Sequence, residues 1–212
     1  MTANIKHVWF DLEGTLSIFT TEFHDAHNEL RYKTYAAVVK KPITEELKQE
    51  YETLYKKYGS NSAVFRHLGL PSDYWQTYSN TLDAVKFYKP EPQVYRTLEK
   101  LKDIIPISIF SNVKSERIMR TLTAIGVSPA WFTYLLTGDD IRERKPALDG
   151  FRVMIEKSKL SPQEILYVGD RVDVDIKPAK LVGMKTCLLW GKSDEADYSF
   201  ESFEDILGIF NF

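Results

Sequence analysis

Two acids, Asp11 and Glu13, close the apolar run Val8-Trp9-Phe10, and Gly14-Thr15-Leu16 follows at once. Alternate residues of an extended chain point to opposite sides, so both carboxylates are expected on one side as the strand ends. Gly14 lets the backbone turn sharply and leaves room for a ligand to approach it. Paired acids in that setting, with free backbone amides just beyond, suit nucleophilic catalysis with acid/base assistance. The competing reading is a strand end with two solvated acids and a glycine turn. What arrives at the neighbouring strand ends decides between them.

Five short apolar runs read as buried strands, at residues 5–10, 107–110, 132–136, 165–168 and 185–189. Helical patterns separate the later runs. Val94, Leu98, Leu101 and Ile105 are spaced as one helix face after Pro92. Ile118, Met119, Leu122 and Ile125 form another between a Ser115 N-cap and Gly126, and further patterns follow at 151–155 and 178–181. Buried strands alternating with helices predict a doubly wound, parallel, Rossmann-like α/β sheet, which binds ligands at the carboxyl ends of its strands. Residues 17–89 break the alternation. They hold only amphipathic helical patterns rich in Tyr, Lys and Glu, punctuated by Pro42, Gly59, Gly69 and Pro71. An all-helical cap at 17–89, inserted into an α/β core of 1–16 and 90–212, is therefore expected.

Each later strand end carries polar chemistry. Ser111-Asn112 follows the second strand, and Lys145-Pro146 lies in a loop after the third. Gly169-Asp170 ends the fourth, with Asp173 and Asp175 just beyond. A parallel sheet gathers these ends into one crevice. A carboxylate nucleophile, a second acid, a hydroxyl, a lysine and further acids able to hold magnesium are the parts of phosphoryl transfer.

In this order, on these strands and with this spacing, the four clusters resemble the motifs of the haloacid dehalogenase (HAD) superfamily. The resemblance covers nearly all of the chain outside the helical insertion, whose position resembles that of the helical caps of family members. It implies a magnesium-dependent phosphohydrolase in which Asp11 attacks phosphorus and forms an aspartyl-phosphate. Glu13 falls at the general acid/base position, Ser111 with the Asn112 region at the phosphoryl-binding position, and Lys145 where charge on the phosphate and Asp11 is offset. Magnesium would be held by an Asp11 oxygen, the Glu13 backbone carbonyl and Asp170, while Asp175 would ligate it through water or orient Lys145. Asp173 reads as solvated or more remote. The family motif usually has Asp where this chain has Glu13, so the acid carries one extra methylene. Asp-x-Glu-Gly-Thr also resembles the motif of enolase-phosphatases. An acid at this position argues against a metal-independent dehalogenase, which has a non-acidic residue there, and against a phosphonoacetaldehyde hydrolase, which has a small one. Arg171 departs from the small residue common after Gly-Asp and is expected in an ion pair.

The expected substrate is a small phosphorylated metabolite. The alternatives are a HAD-fold phosphate- or partner-binding protein weakened by the Glu13 change, or a metal-independent haloacid dehalogenase. A net charge of −2 over 212 residues gives no reason to expect nucleic acid or an anionic membrane. No apolar run is long enough to span a membrane. Residues 1–6 carry no charged start to a signal segment, and Cys187 is alone, so a reducing cytosol is the expected location. Within the cap, His24, His27, Arg31, Tyr32 and Lys33 read as a solvated helix face. The aromatics Tyr32, Tyr35, Tyr51, Tyr55, Tyr58, Trp75 and Tyr78 read as helix packing.

Overall fold

The computed structural model describes residues 4–210, so residues 1–3 and 211–212 of the expected core lie outside it. In chain order the elements are β1 (His7–Phe10), α1 (Thr21–Val39), α2 (Glu45–Tyr58), α3 (Asn61–His67), α4 (Tyr74–Ser79) and α5 (Pro92–Leu101). Then come β2 (Ile107–Phe110), α6 (Ser115–Ala124), β3 (Leu135–Leu136), α7 (Asp149–Ser158) and β4 (Ile165–Gly169). The chain closes with α8 (Lys177–Leu181), β5 (Lys185–Leu189) and β6 (Tyr198–Phe200). The chain divides into two compact units, one of residues up to 18 and from 88 onward, the other Phe19–Phe87.

The first unit is built on one six-stranded sheet in the order β3-β2-β1-β4-β5-β6, with every pairing parallel. β1, β2 and β4 are buried at every position, as strands covered on both faces must be. One core cluster joins Trp9, Phe110, Phe151, Met154 and Tyr167. The buried Trp9 indole does not lose its hydrogen bond, since Nε1 donates to Ser158 Oγ at 2.9 Å. The central strands lie where the apolar runs indicate. Two differences appear at the sheet edges. β3 is only two residues long because Phe132 closes a 3-10 turn at Pro129–Trp131, and the strand pairs only with Ile109 and Phe110. β6 is half-buried and has no apolar run to announce it.

Helix ends explain two further details. Pro92 opens α5 behind a Glu91 cap, the position where a missing N–H costs nothing. Ser115 is not the cap of α6 but its first residue; Lys114 is the cap, and the Ser115 amide donates to Asp139 Oδ2 at 3.4 Å.

The second unit, considered by itself, is helical and has its own aromatic core of Tyr35, Tyr51, Phe65 and Trp75. Thr20, Thr44 and Ser60 cap its first three helices through their side chains. Arg31 is paired with Glu52 and lies over the rings of Tyr32, Tyr51 and Tyr55. Lys33 pairs with Glu29 at 2.6 Å, and Tyr78 is exposed. Among the described residues no helix is long and apolar enough to cross a membrane.

Candidate active site

The register of the sheet places the site. Phe10 is level with Ile109 on one side and Val168 on the other, so Asp11, Ser111 and Asp170 emerge at the same carboxyl edge. The Asp11 amide still donates to Val168 O at 2.8 Å, but β1 ends there. Leu16 N and Ser17 N both fold back on Leu12 O at 2.9 Å, and Gly14 N donates to Ser17 O at 2.8 Å. Strand alternation therefore stops at Phe10, and the two acids take different partners. Asp11 Oδ1 lies 2.9 Å from Lys145 Nζ, whereas Glu13 Oε1 lies 2.6 Å from an Arg117 nitrogen. The Tyr88 hydroxyl also donates to Glu13 Oε1, at 3.0 Å.

Lys145 is the hub. Its side chain is 1% exposed, and its ammonium meets Asp11 at 2.9 Å, Asp175 at 2.7 Å and the Tyr167 hydroxyl at 2.8 Å. An ammonium has three donors, so these contacts saturate it. It also lies over the rings of Phe110 and Tyr167. Burial works against its charge, but Asp11 and Asp175 outweigh burial and hold its pKa above the ordinary lysine value. Asn112 fixes the backbone of Lys145 from both ends of its amide. Its Nδ2 donates to Lys145 O at 3.1 Å, and its Oδ1 accepts from Lys145 N at 2.7 Å. The Asn112 side chain is thus occupied in placing Lys145. Ser111 sits at the end of β2, 3% exposed, with its amide donating to Leu136 O at 3.1 Å.

Asp170 follows β4 directly, and a π-helical turn, Val172–Ile176, carries Asp173 and Asp175. That turn carries Asp175 back under the strand end so closely that a Cβ on Gly169 would stand 2.5 Å from Asp175 Cβ. Gly14 is constrained twice. Its φ of +86° is left-handed, and a Cβ there would stand 2.5 Å from Asp170 Oδ2. Asp175 is fully buried, with Oδ1 on Lys145 and Oδ2 accepting from Arg171 N at 3.2 Å. The Arg171 side chain lies 3.8 Å from Asp175 and 4.0 Å from Asp170, a loose pair with both. Asp173 faces outward and pairs with Lys177 at 2.8 Å.

One oxygen each from Asp11, Asp170 and Asp175 lies within 4.8 Å of the others. Burial pushes the Asp11 carboxyl up to about 7; Lys145 pulls it down, and Asp175 pushes it up again. Burial and then Asp175 likewise raise Asp170. Asp11 and Asp170 are oxygen donors whose surroundings disfavour their charge, and a hard divalent cation corrects that imbalance. The residues fit magnesium. Asp11 and Asp170 suit it best, because both oxygens of Asp175 already have partners.

Three residues of this constellation escape sequence reading: Tyr88, Arg117 and Tyr167. Only Tyr167 leaves a trace, as a hydroxyl inside a fully apolar strand that must find a partner. In the sequence Arg117 is one more charge on an amphipathic helix and Tyr88 one more aromatic at the end of the helical stretch.

A sequence model described as haloacid dehalogenase-like hydrolase matches residues 8–189. The chain belongs to the haloacid dehalogenase-like hydrolase family. It is 33% identical over 141 residues to a glyceraldehyde 3-phosphate phosphatase of Methanocaldococcus jannaschii, a match covering 63% of this chain and 60% of the relative. A phosphoglycolate phosphatase of Aquifex aeolicus is 27% identical over 88% of this chain and 78% of its own length. The fold is shared with the crystal structure of a HAD phosphatase from Thermococcus onnurineus, with a TM-score of 0.69 and 20% identity over 98% of both chains.

Proposed function

We propose that this HAD-like hydrolase is a magnesium-dependent phosphatase of small phosphorylated metabolites and works through an aspartyl-phosphate. The observation that carries the reading is the buried Asp11–Lys145–Asp175 chain at the carboxyl edge, with Asp170 beside it. Relatives named for glyceraldehyde 3-phosphate and phosphoglycolate support the substrate class. The helical unit is proposed to serve as the cap that reads the leaving group.

An Asp11 oxygen attacks phosphorus, and the ester P–O bond breaks with its electron pair passing to the leaving oxygen. Glu13 delivers a proton to that oxygen and is left as a carboxylate. It then takes a proton from water as the water oxygen attacks the phosphorus of the aspartyl-phosphate. The bond to Asp11 breaks, freeing inorganic phosphate and restoring both acids. Lys145 orients Asp11 throughout and holds the charge of the acids around it; Asn112 and Tyr167 hold Lys145. Ser111 would hydrogen-bond the phosphoryl group. Magnesium would be held by Asp11, the Glu13 backbone carbonyl and Asp170, and would neutralise charge on the phosphoryl oxygens.

The acid role is tested by Glu13→Gln in the full chain with magnesium. Turnover of alkyl phosphates is expected to fall about 10²–10⁴-fold, the usual worth of a positioned acid/base. Aryl phosphates, whose leaving groups need little protonation, should lose far less. Equal losses on both would remove Glu13 from that role.

The metal assignment makes a separate prediction about stability. The Asp11 carboxyl is raised above its unfolded value, so the folded state holds a proton there that the unfolded chain releases. That contribution is present at low pH and is lost as pH rises through about 7. Magnesium replaces the proton. The gain in Tm on adding magnesium should therefore be larger at pH 8 than at pH 5. At a hundred times Kd the stabilising free energy should be about 2.7 kcal/mol. A gain independent of pH in calorimetry would exclude Asp11 as a ligand.

A further inference from the structure

Glu13 is held by residues that no motif of the site includes. Arg117 and Tyr88 both reach the same carboxylate oxygen, Oε1, at 2.6 and 3.0 Å. Tyr88 lies 75 residues along the chain from Glu13 and is 6% exposed. Arg117 is in the first turn of α6, just beyond the end of β2, and its side chain is 30% exposed against 20% for Glu13. Its Nε is buried with no hydrogen-bond partner. A buried donor left unpaired is unfavourable and calls for an explanation. An arginine placed only for stability could turn to satisfy Nε; here its orientation follows the carboxylate.

We infer that Arg117 and Tyr88 are positioning residues for Glu13, fixing its carboxylate through Oε1 and leaving Oε2 to meet the leaving group. Glutamate has one more rotatable bond than aspartate, and an acid displaced by about 1 Å can lose about a hundredfold in rate. Two converging donors on one oxygen remove that freedom. The inference rests on the acid/base role proposed for Glu13, and it assigns the two donors no contact with phosphate.

The test uses Arg117→Met, Arg117→Lys and Tyr88→Phe in the full chain with magnesium, assayed on glycerol phosphate and on p-nitrophenyl phosphate. Arg117→Met should lower kcat on the alkyl ester about a hundredfold while the aryl ester loses several-fold at most. KM and inhibition by inorganic phosphate should stay within about threefold, because uniform binding is untouched. Arg117→Lys should recover part of the loss, and Tyr88→Phe should show the same selectivity more weakly. In a Glu13→Gln background, Arg117→Met should add no more than about twofold, the mark of residues acting as one unit. Equal losses on both esters, a change confined to KM, or full additivity with Glu13→Gln would overturn the inference. Tyr88→Phe removes a single oxygen, so it carries the comparison if Arg117→Met fails to fold. The two readings fail separately: if Glu13→Gln itself does not discriminate between the esters, the acid/base assignment falls and this inference with it. If it discriminates and the Arg117 and Tyr88 variants do not, only the positioning is lost.

Discussion

Asp11→Asn is expected to abolish turnover of every phosphate ester, a loss of at least about 10⁴-fold of the size seen when a nucleophile is removed. The amide keeps the shape of the carboxylate but cannot form the aspartyl-phosphate. The folded protein should survive the change. Asp11 is buried against Asp175 and near Asp170, so removing its charge relieves crowding, while Lys145 keeps Asp175 at 2.7 Å. The metal-free variant should therefore melt no lower than the parent and should lose most of the gain from magnesium. Steady-state assays on a panel of phosphorylated sugars and short acids, with parallel calorimetry, check both halves. Retained turnover would overturn the nucleophile assignment, and a collapse in Tm would show that Asp11 is held for stability instead.

Lys145→Met should have the opposite balance, with activity lost and the fold weakened. The substitution leaves Asp11 and Asp175 buried together without their shared cation, and breaking a buried pair costs about 3–5 kcal/mol. For a chain of this size that corresponds to a fall in Tm on the order of 10 °C. The pH dependence follows from the sign of the shift. Without Lys145 the Asp11 carboxyl, already raised by burial, moves further above its unfolded value, so folding takes up a proton there at low pH and loses that support as pH rises. The deficit should be smaller at pH 5 than at pH 8. A deficit below about 1 kcal/mol at both, the range of an exposed pair, would mean that the ammonium is not the counter-charge of the site.

Much of this organisation is legible in the chain itself. The apolar runs and the helical spacing between them specify a parallel sheet covered on both faces, because only that arrangement buries such strands completely. Once the sheet is parallel, the residues after each run share one edge, and Asp11, Ser111, Lys145 and Asp170 are drawn together without any knowledge of contacts. Edge strands were harder to read. β3 occupies only the end of the apolar run at 132–136, and β6 is half-buried, so it needs no continuous apolar signature. Ser115 misled as a cap because a serine beside a helical run satisfies the rule whether or not its side chain is used.

Five of the six strands, the order of chemistry along the chain and the residue types at the carboxyl edge follow from the sequence alone, since periodicity and strand ends are local properties. Only the tertiary structure decided how those residues are partnered. That all three donors of Lys145 are occupied, that Asn112 clamps its backbone, and that Glu13 pairs with Arg117 and Tyr88 depend on side chains brought together from distant positions. No local spacing encodes such pairings. They arise from burial, which forces each buried charge and hydroxyl to find a partner wherever the fold supplies one.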